Sequence, residues 1–526
     1  MENVATYGSL SLFGNNYYGL RMASVICACM IFILLYLILN KILVRDEDIV
    51  GSKQVITQGF KGRYLLYALT GYILCDFSFM VAGRVAEPTI FRMLALMIVI
   101  YVGTLPVLSR PLVSKWYSIS LGFLALASVV FVYIYNFFIF CALTMSVIIW
   151  AHKSGSKNAV KMGAYYLLGS LICLLSFQVF AQVVYQSSLT DVYLTLLPFK
   201  YRMGLGVGQI TAIGIYLTNL LFIFITNIFR FNMILLFIFM VSIPVFIKKV
   251  ISERNNFDIL ILNLLLFLFM QSIVINDYPL RKLIIMLPLV IIFIAISITY
   301  ASRFIEEYTS TESKRHSLIL LWIVVLIFTV LVSSIYINPH VTELGAFSTG
   351  NITYLNWGVF LVVSVIMSFH YLFSVRIKTI GIVICLMLAL LPNLALDAKY
   401  IFLNRTYYFR DSMIGMSDKV DGKIVAGGFA YGFRLYNKSI PTLNFYITSY
   451  SYDKNQIDLY HQNFDRIFSS RIASYSIAES SYNKKNNVNS REYMEEHGLL
   501  FNEEFKFHDL IDGDIGLYAP ASETGK

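Results

Sequence analysis

Few residues in this sequence can do chemistry, and nearly all of them stand in short polar intervals between long apolar runs. The sharpest is Glu87, in CDFSFMVAGRVAEPTIFR, a carboxylate directly before Pro88 with Asp76, Arg84 and Arg92 in the same stretch. A carboxylate among apolar neighbours can serve as a general base or orient an acceptor hydroxyl. The competing reading is a local ion pair with Arg84 or Arg92. Asp76 falls inside an apolar run, where a lone charge is costly, so it is expected to face inward, with Arg84 two turns on as its candidate partner. The cations form a second group: Arg84, then Lys200 and Arg202 ahead of the glycines of MGLGVGQ, then Arg281 and Lys282 in NDYPLRK. As a set they suit an anionic phosphate, because arginine offers a bidentate fork and lysine a point charge. Each taken singly also fits a headgroup anchor whose stem lies along the lipid. Gly204, Gly206 and Gly208 follow no strand and precede no Gly-Lys-Ser/Thr, so they do not make a nucleotide loop. No His/Cys/carboxylate cluster argues for a transition-metal centre; the metal expectation is none, and a divalent cation has no support.

The elements that must hold these residues are set by composition. The chain has 526 residues, 58% hydrophobic, 15% aromatic and 14% charged, with a mean hydropathy of +0.69. An ordinary soluble domain is about 45–50% apolar and about 25% charged, so a soluble enzyme, a disordered chain and a disulfide-stapled module are excluded. The apolar excess stops near residue 397, and from Lys399 the chain is polar. The expected domains are therefore a multi-span membrane domain over 1–398 and an extracytoplasmic soluble domain over 399–526. All six cysteines lie in apolar runs, so the tail has no disulfide framework. The net charge of +10 is spread over short loops and not gathered on one soluble surface, which gives no indication of nucleic acid.

Runs of about 20 apolar residues fit membrane spans. They fall at 22–43, 64–83, 90–108, 117–133, 134–151, 164–185, 208–228, 229–247, 258–275, 283–300, 317–336, 355–374 and 379–396. Basic residues mark one set of loops: Lys41, Arg45, Lys53, Lys61 and Arg63; Arg110 and Lys115; His152, Lys153, Lys157 and Lys161; Lys248, Lys249 and Arg254; Arg303, Lys314 and Arg315; Arg376 and Lys378. The bias of lysine and arginine toward the cytoplasm puts all of these inside. That assignment needs residues 1–21 outside and 208–228 not crossing, which reads as an interfacial or re-entrant segment. About twelve spans remain, and the tail emerges on the outer face with Glu87 and the candidate cations. Within the tail, 421–430 and the stretch from Asp514 read as strands, and 453–500 has helical character. A small α/β domain is expected.

This ordered set resembles the GT-C class of glycosyltransferases, in particular protein O-mannosyltransferases and bacterial aminoarabinose transferases. FGNNYYGLRMASVICACMIFILLYLILNKIL is similar to the family's entry into its second span. GRVAEPTIF is similar to the next hairpin, whose acidic residue, commonly followed by proline, maps onto Glu87. NDYPLRKLIIMLPLVIIF resembles the Arg-Tyr-x-x-x-x-x-Pro opening of a late span, with Arg281 and Pro288 matching and Lys282 in place of the aromatic. IVAGGFAYGFRLYN looks like part of the small soluble end domain. The resemblance implies an α-helical polytopic membrane protein. It also implies inverting transfer of a sugar from a polyprenyl-phosphate donor to a glycan, lipid or protein acceptor outside the membrane. Glu87 and Asp76 would be the catalytic carboxylates. Arg84, Lys200, Arg202, Arg281 and Lys282 would bind the substrate, with membrane lipids and no nucleotide as the other partners. Such enzymes begin with a further span and an outer loop bearing the principal acidic residue. Here Glu2 is the only acidic residue before the first span, which leaves open a truncated gene model, a second chain supplying the missing span, or a degenerate relative. A polysaccharide polymerase or ligase, a transporter or flippase, and a non-catalytic scaffold are the alternatives. The absence of an internal repeat counts against the transporter.

Overall fold

The structure, a computed structural model, describes residues 2–14, 17–45, 60–76, 79–80, 88–104, 115–132, 136–153, 155–185, 233–274, 285–309, 312–336, 355, 357–366, 379–398, 425–427, 442–444, 475–479, 499–508 and 512–520. The chain forms two compact units. One comprises Met1–Gly8, Arg21–Val341 and Thr349–Asp397; the other comprises Ser9–Leu20, Thr342–Ser348 and Ala398–Lys526.

The first unit is helical throughout its described residues, as an apolar medium demands, since only a helix satisfies its backbone within one segment. After α1 (Glu2–Phe13), α2 (Tyr17–Asn40) runs into a π turn at Lys41–Arg45. Next come α3 (Phe60–Leu74), α4 (Pro88–Gly103) and α5 (Lys115–Ala127), the last continued by a second π turn at Ser128–Val132. Then follow α6 (Phe137–Lys153), α7 (Ser156–Tyr185), α8 (Met233–Glu253) and α9 (Asn256–Val274). The last are α10 (Leu287–Thr309), α11 (Glu312–Tyr336), α12 (Trp357–Ile366) and α13 (Thr379–Asp397). By length and composition, Arg21–Leu43, Lys115–Val132, Lys157–Val183 and Ile234–Glu253 can each cross a membrane. The protein is an integral membrane protein.

Local signals set the helix ends. Pro88 opens α4, where its missing N–H costs nothing. Gly155, at φ 88°, turns the chain between α6 and α7, and its carbonyl accepts the Ala159 N–H at 2.9 Å. Arg254, at φ 48°, turns it between α8 and α9; Asn255 then caps α9, its Oδ1 accepting the Phe257 N–H at 3.0 Å.

One layer of contacts gathers the basic helix ends. Lys41 Nζ donates to Thr104 Oγ1 at 3.2 Å, which joins the end of α2 to the end of α4. Tyr117 Oη donates to the Val102 carbonyl at 3.3 Å, joining the end of α4 to the start of α5. Lys115 Nζ lies 5.7 Å from the Tyr165 ring centre, which places the starts of α5 and α7 together. Trp150 Nε1 donates to the Asn256 carbonyl at 3.1 Å and Lys153 Nζ to the Arg254 carbonyl at 2.5 Å, joining the end of α6 to the α8–α9 turn. Lys248 pairs with Glu307 at 2.8 Å, adding the end of α10. The described helices therefore alternate in direction: α2, α4, α6, α8 and α10 arrive at this basic end, and α5, α7, α9 and α11 leave it. Since α7 leaves and α8 arrives, Tyr185 and Met233 both lie toward the opposite end. The expected non-crossing segment, 208–228, itself lies outside the described residues.

At the turn between α8 and α9, Lys249 Nζ contacts Asp258 Oδ2 at 2.5 Å and Glu253 Oε2 at 3.5 Å, with Lys249 and Asp258 each 1% exposed. A buried pair of this kind contributes little net stability, yet losing one partner is expensive. Further along the bundle, Asn263 Nδ2 donates to Ser146 Oγ at 2.9 Å between α9 and α6. Phe246 meets Phe293 with ring centres 4.2 Å apart between the parallel helices α8 and α10.

The closest crossing joins α5 and α7. A Cβ on Gly122 would collide with the Tyr166 backbone, and one on Gly169 with the Ile119 backbone. Small residues let helices approach where lipid removes the hydrophobic incentive to associate. Ser170 Oγ uses the approach to donate to the Gly122 carbonyl at 3.2 Å. Phe131 closes the far end against Phe177, with ring centres 5.3 Å apart.

In the second unit a five-stranded sheet has the order β2-β1-β3-β5-β4. The strands are β1 (Val425–Gly427), β2 (Thr442–Asn444), β3 (Tyr475–Glu479), β4 (Leu499–His508) and β5 (Asp512–Pro520). β1 is parallel to both β2 and β3, whereas β5 is antiparallel to β3 and β4, with a register shift between Phe501 and Glu503. The parallel pairs need crossover connections; β4 and β5 need only the short turn between them.

Two expectations are corrected. The apolar run 64–83 is not one helix, because α3 ends at Leu74 and a new turn begins beyond Asp76. Residues 475–479 and 499–500, inside the stretch expected to be helical, are strand; Tyr475–Glu479 pairs on both sides, and Leu499 and Leu500 pair with β5.

Gly122→Ala should lower stability in detergent by about 1–3 kcal/mol through overpacking. Gly71→Ala, with open space at its Cβ, should raise it by up to about 1 kcal/mol. Lys249→Met should cost about 3–5 kcal/mol, and Lys249→Met with Asp258→Leu should recover most of that, both read by thermal unfolding.

Candidate functional site

The candidate site is built at the end opposite the basic layer, where α3 and α13 finish and α4 and α6 begin. Its best-defined element is the break after α3. The Cys75 N–H still donates to the Gly71 carbonyl at 3.1 Å, and the Asp76 N–H to the Ile73 carbonyl at 3.3 Å. The direction then changes. Asp76 Oδ1 accepts the Phe79 N–H at 3.0 Å, and the Asp76 carbonyl accepts the Met80 N–H at 2.9 Å. Asp76 is therefore an N-cap, a position where a carboxylate satisfies orphan N–H groups and meets the positive end of the turn.

The other carboxylate oxygen reaches across the bundle. Asn393 Nδ2 lies 3.4 Å from Asp76 Oδ2 and 3.3 Å from Tyr72 Oη. Asp76 is 5% exposed and Asn393 and Tyr72 are each 0% exposed, so the network is enclosed. It joins the finishing turns of α3 and α13, which pack side by side. Pro392 immediately precedes Asn393 and removes one backbone donor from α13.

A second network lies at the same end. Arg92, in the first turns of α4 and fully buried, donates from Nε to Asn136 Oδ1 at 3.0 Å. Asn136 donates from Nδ2 to the Ser128 carbonyl at 3.0 Å, at the first residue of the π turn ending α5. The amide accepts from the guanidinium and donates onward, so its orientation and that of Arg92 are fixed together. Gln271, near the end of α9, is a further buried polar side chain at this end. Among the described residues no group of three or more His, Cys, Asp or Glu side chains could hold a metal ion.

Of the seven residues singled out from the sequence, Asp76 lies within the described residues and is buried as expected. Glu87, Arg84, Lys200, Arg202, Arg281 and Lys282 lie outside them. The described helix ends that flank these six all belong to the opposite end: Met80 and Pro88 around Arg84 and Glu87, the end of α7 and start of α8 around Lys200 and Arg202, and the end of α9 and start of α10 around Arg281 and Lys282. Sequence reasoning missed Asn393 and Asn136. The available signal was an amide inside, or at the start of, an apolar run, where it must find partners.

No protein-family model matches the chain, and no curated protein matches it. Among solved structures, ArnT from Cupriavidus metallidurans bound to undecaprenyl phosphate is similar over 98% of this chain and 87% of that one, with a TM-score of 0.53 and 8% identity. The same protein in the apo state gives a TM-score of 0.45 at 9% identity over 98% and 86% of the two chains. At this identity the likeness is one of fold: the chain has a GT-C-like fold.

Asp76→Ala should lower stability by about 1–2 kcal/mol through the lost cap. Asp76→Asn, which keeps an acceptor for the Phe79 N–H, should lose less. Thermal unfolding of both variants in detergent checks the order.

Proposed function

We propose that the protein is a membrane glycosyltransferase that moves a sugar from a polyprenyl-phosphate carrier to an extracytoplasmic acceptor with inversion at the anomeric carbon. The observation that carries this reading is the GT-C-like fold, shared over 98% of the chain with a protein crystallised with undecaprenyl phosphate. The helix directions support it, because the described helix ends that flank the candidate acid and cations lie at the end opposite the basic layer.

In this reading about twelve spans cross the membrane. The basic layer is cytoplasmic, and the opposite end faces outward. Residues 399–526 form a small α/β domain outside the membrane. Glu87 takes the proton of the acceptor hydroxyl as its oxygen attacks the anomeric carbon. The bond from that carbon to the phosphate oxygen breaks, and the polyprenyl phosphate leaves with the electron pair. Arg281 and Lys282 stabilise the leaving phosphate, with Lys200, Arg202 and Arg84 assisting. Asp76, fixed by its cap and by Asn393, supplies a second oriented carboxylate at the mouth.

Purified protein given undecaprenyl-phosphate sugars and candidate acceptors should turn over one of them. Glu87→Gln should lower kcat by about 10²-fold or more, the usual contribution of a general base. Arg281→Ala should lower kcat/KM comparably. Turnover unaffected by either change would sink the assignment of residues, and no transfer from any lipid-linked sugar would sink the reading itself.

A further inference from the structure

We propose that the basic end of the α5–α7 pair binds the headgroup of an anionic phospholipid. Between Glu87 and Asp191 the chain contains no aspartate or glutamate, although that stretch includes α4, α5, α6 and α7. Its cations therefore have no counter-charge on their own helices. Lys157, Lys161 and Tyr165 recur every four residues on α7 and so share one face. Lys115 joins them from α5. Its Nζ lies 5.7 Å from the Tyr165 ring centre and 5.8 Å from that of Trp116, an ammonium held between two aromatic faces. The glycine crossing explains the convergence: with Ile119 against Gly169 and Gly122 against Tyr166, the turn before Ile119 lies beside the turn before Gly169.

Among the described residues, the carboxylates at this end are engaged elsewhere. Asp258 and Glu253 meet Lys249, and Glu307 meets Lys248. Lys153, on α6, is directed to the Arg254 carbonyl. Among the described residues no salt bridge reaches Lys115, Lys157 or Lys161, and all three are exposed. The position in the membrane selects the ligand. Lys115 and Lys157 open two of the helices able to cross a membrane, and Trp116 beside Lys115 is 73% exposed. A tryptophan and lysines at the mouth of a span sit at headgroup depth, where basic clusters recruit acidic lipids. A lipid phosphate fits this surface; a soluble anion would leave the exposed apolar faces beside it uncovered.

The test is a lipid titration of the full chain in neutral detergent, followed by thermal unfolding. Phosphatidylglycerol should raise the melting temperature progressively and phosphatidylcholine should not. Each lysine replaced by glutamine should weaken the apparent affinity for phosphatidylglycerol about fivefold, so Lys115→Gln with Lys157→Gln and Lys161→Gln removes the rise. The single changes Lys157→Gln and Lys161→Gln, at exposed positions, give the same reading in smaller steps should the triple variant not fold. The corresponding arginine replacements should keep the effect. Equal stabilisation by phosphatidylcholine, a rise undiminished by the glutamine replacements, or the same rise with soluble glycerol phosphate would each overturn the proposal.

Discussion

The rest of the membrane unit depends on the contact between the end of α6 and the α8–α9 turn, where Trp150 and Lys153 donate to the backbone of Asn256 and Arg254. A helix in lipid can hide apolar side chains anywhere along its length, so packing alone leaves its direction weakly specified. Polar bonds between helix ends remove that freedom, because Trp150 and Lys153 reach these carbonyls only when the two ends lie side by side. Once α6 and α8 finish together, the parity of the chain between them is fixed. The far end of α7 and the start of α8 then share the face on which α3 and α13 finish. The location of the candidate site follows from a bond at the far side of the bundle.

Association of the helices rests on a different principle from the one that orients them. Between α5 and α7 the backbones touch at two glycines, and the attraction there is dispersion between close surfaces, with one serine hydrogen bond. On its other side α7 exposes Val160, Leu167, Leu171, Leu175, Val179 and Val183, which is the surface lipid chains cover. Substituting those side chains among apolar types changes little, while adding one methyl at Gly122 forces two helices apart. Mean hydropathy is blind to this difference.

Much of the helical unit was legible because each run long enough to span also needed a helix, and the lysines at its ends named its direction. The break at Asp76 was not legible, since hydropathy averages a carboxylate into its apolar neighbours. The physical event is local: the carboxylate captures the Phe79 N–H and restarts the ladder. Asn393 was missed for a related reason. An amide in an apolar run declares that it needs partners, but Tyr72 and Asp76 lie far away in sequence, and only the packing of α3 against α13 brings them together. In the tail, β3 was read as helical because its polar surroundings masked a short strand whose stability comes from pairing with β1 and β5. Of the site residues, the sequence pointed to Asp76 by its cost alone; its role as a cap required coordinates.

At both ends of the bundle buried charge is held by directed polar bonds. At the basic end, charge meets opposite charge: Lys249 with Asp258 and Glu253, Lys248 with Glu307. These pairs hold the α8–α9 turn and the end of α10. At the opposite end the charges meet amides. Asn136 accepts from Arg92, and Asn393 donates toward Asp76. An amide orients a guanidinium or a carboxylate through directed bonds but contributes no counter-charge. Electrostatic stabilisation works best from groups already fixed in place, and these directed bonds fix both side chains. Asn136 thereby ties the start of α4 to the end of α5, and Asn393 ties α13 to the end of α3, so the side chains of Arg92 and Asp76 are oriented by elements distant in sequence.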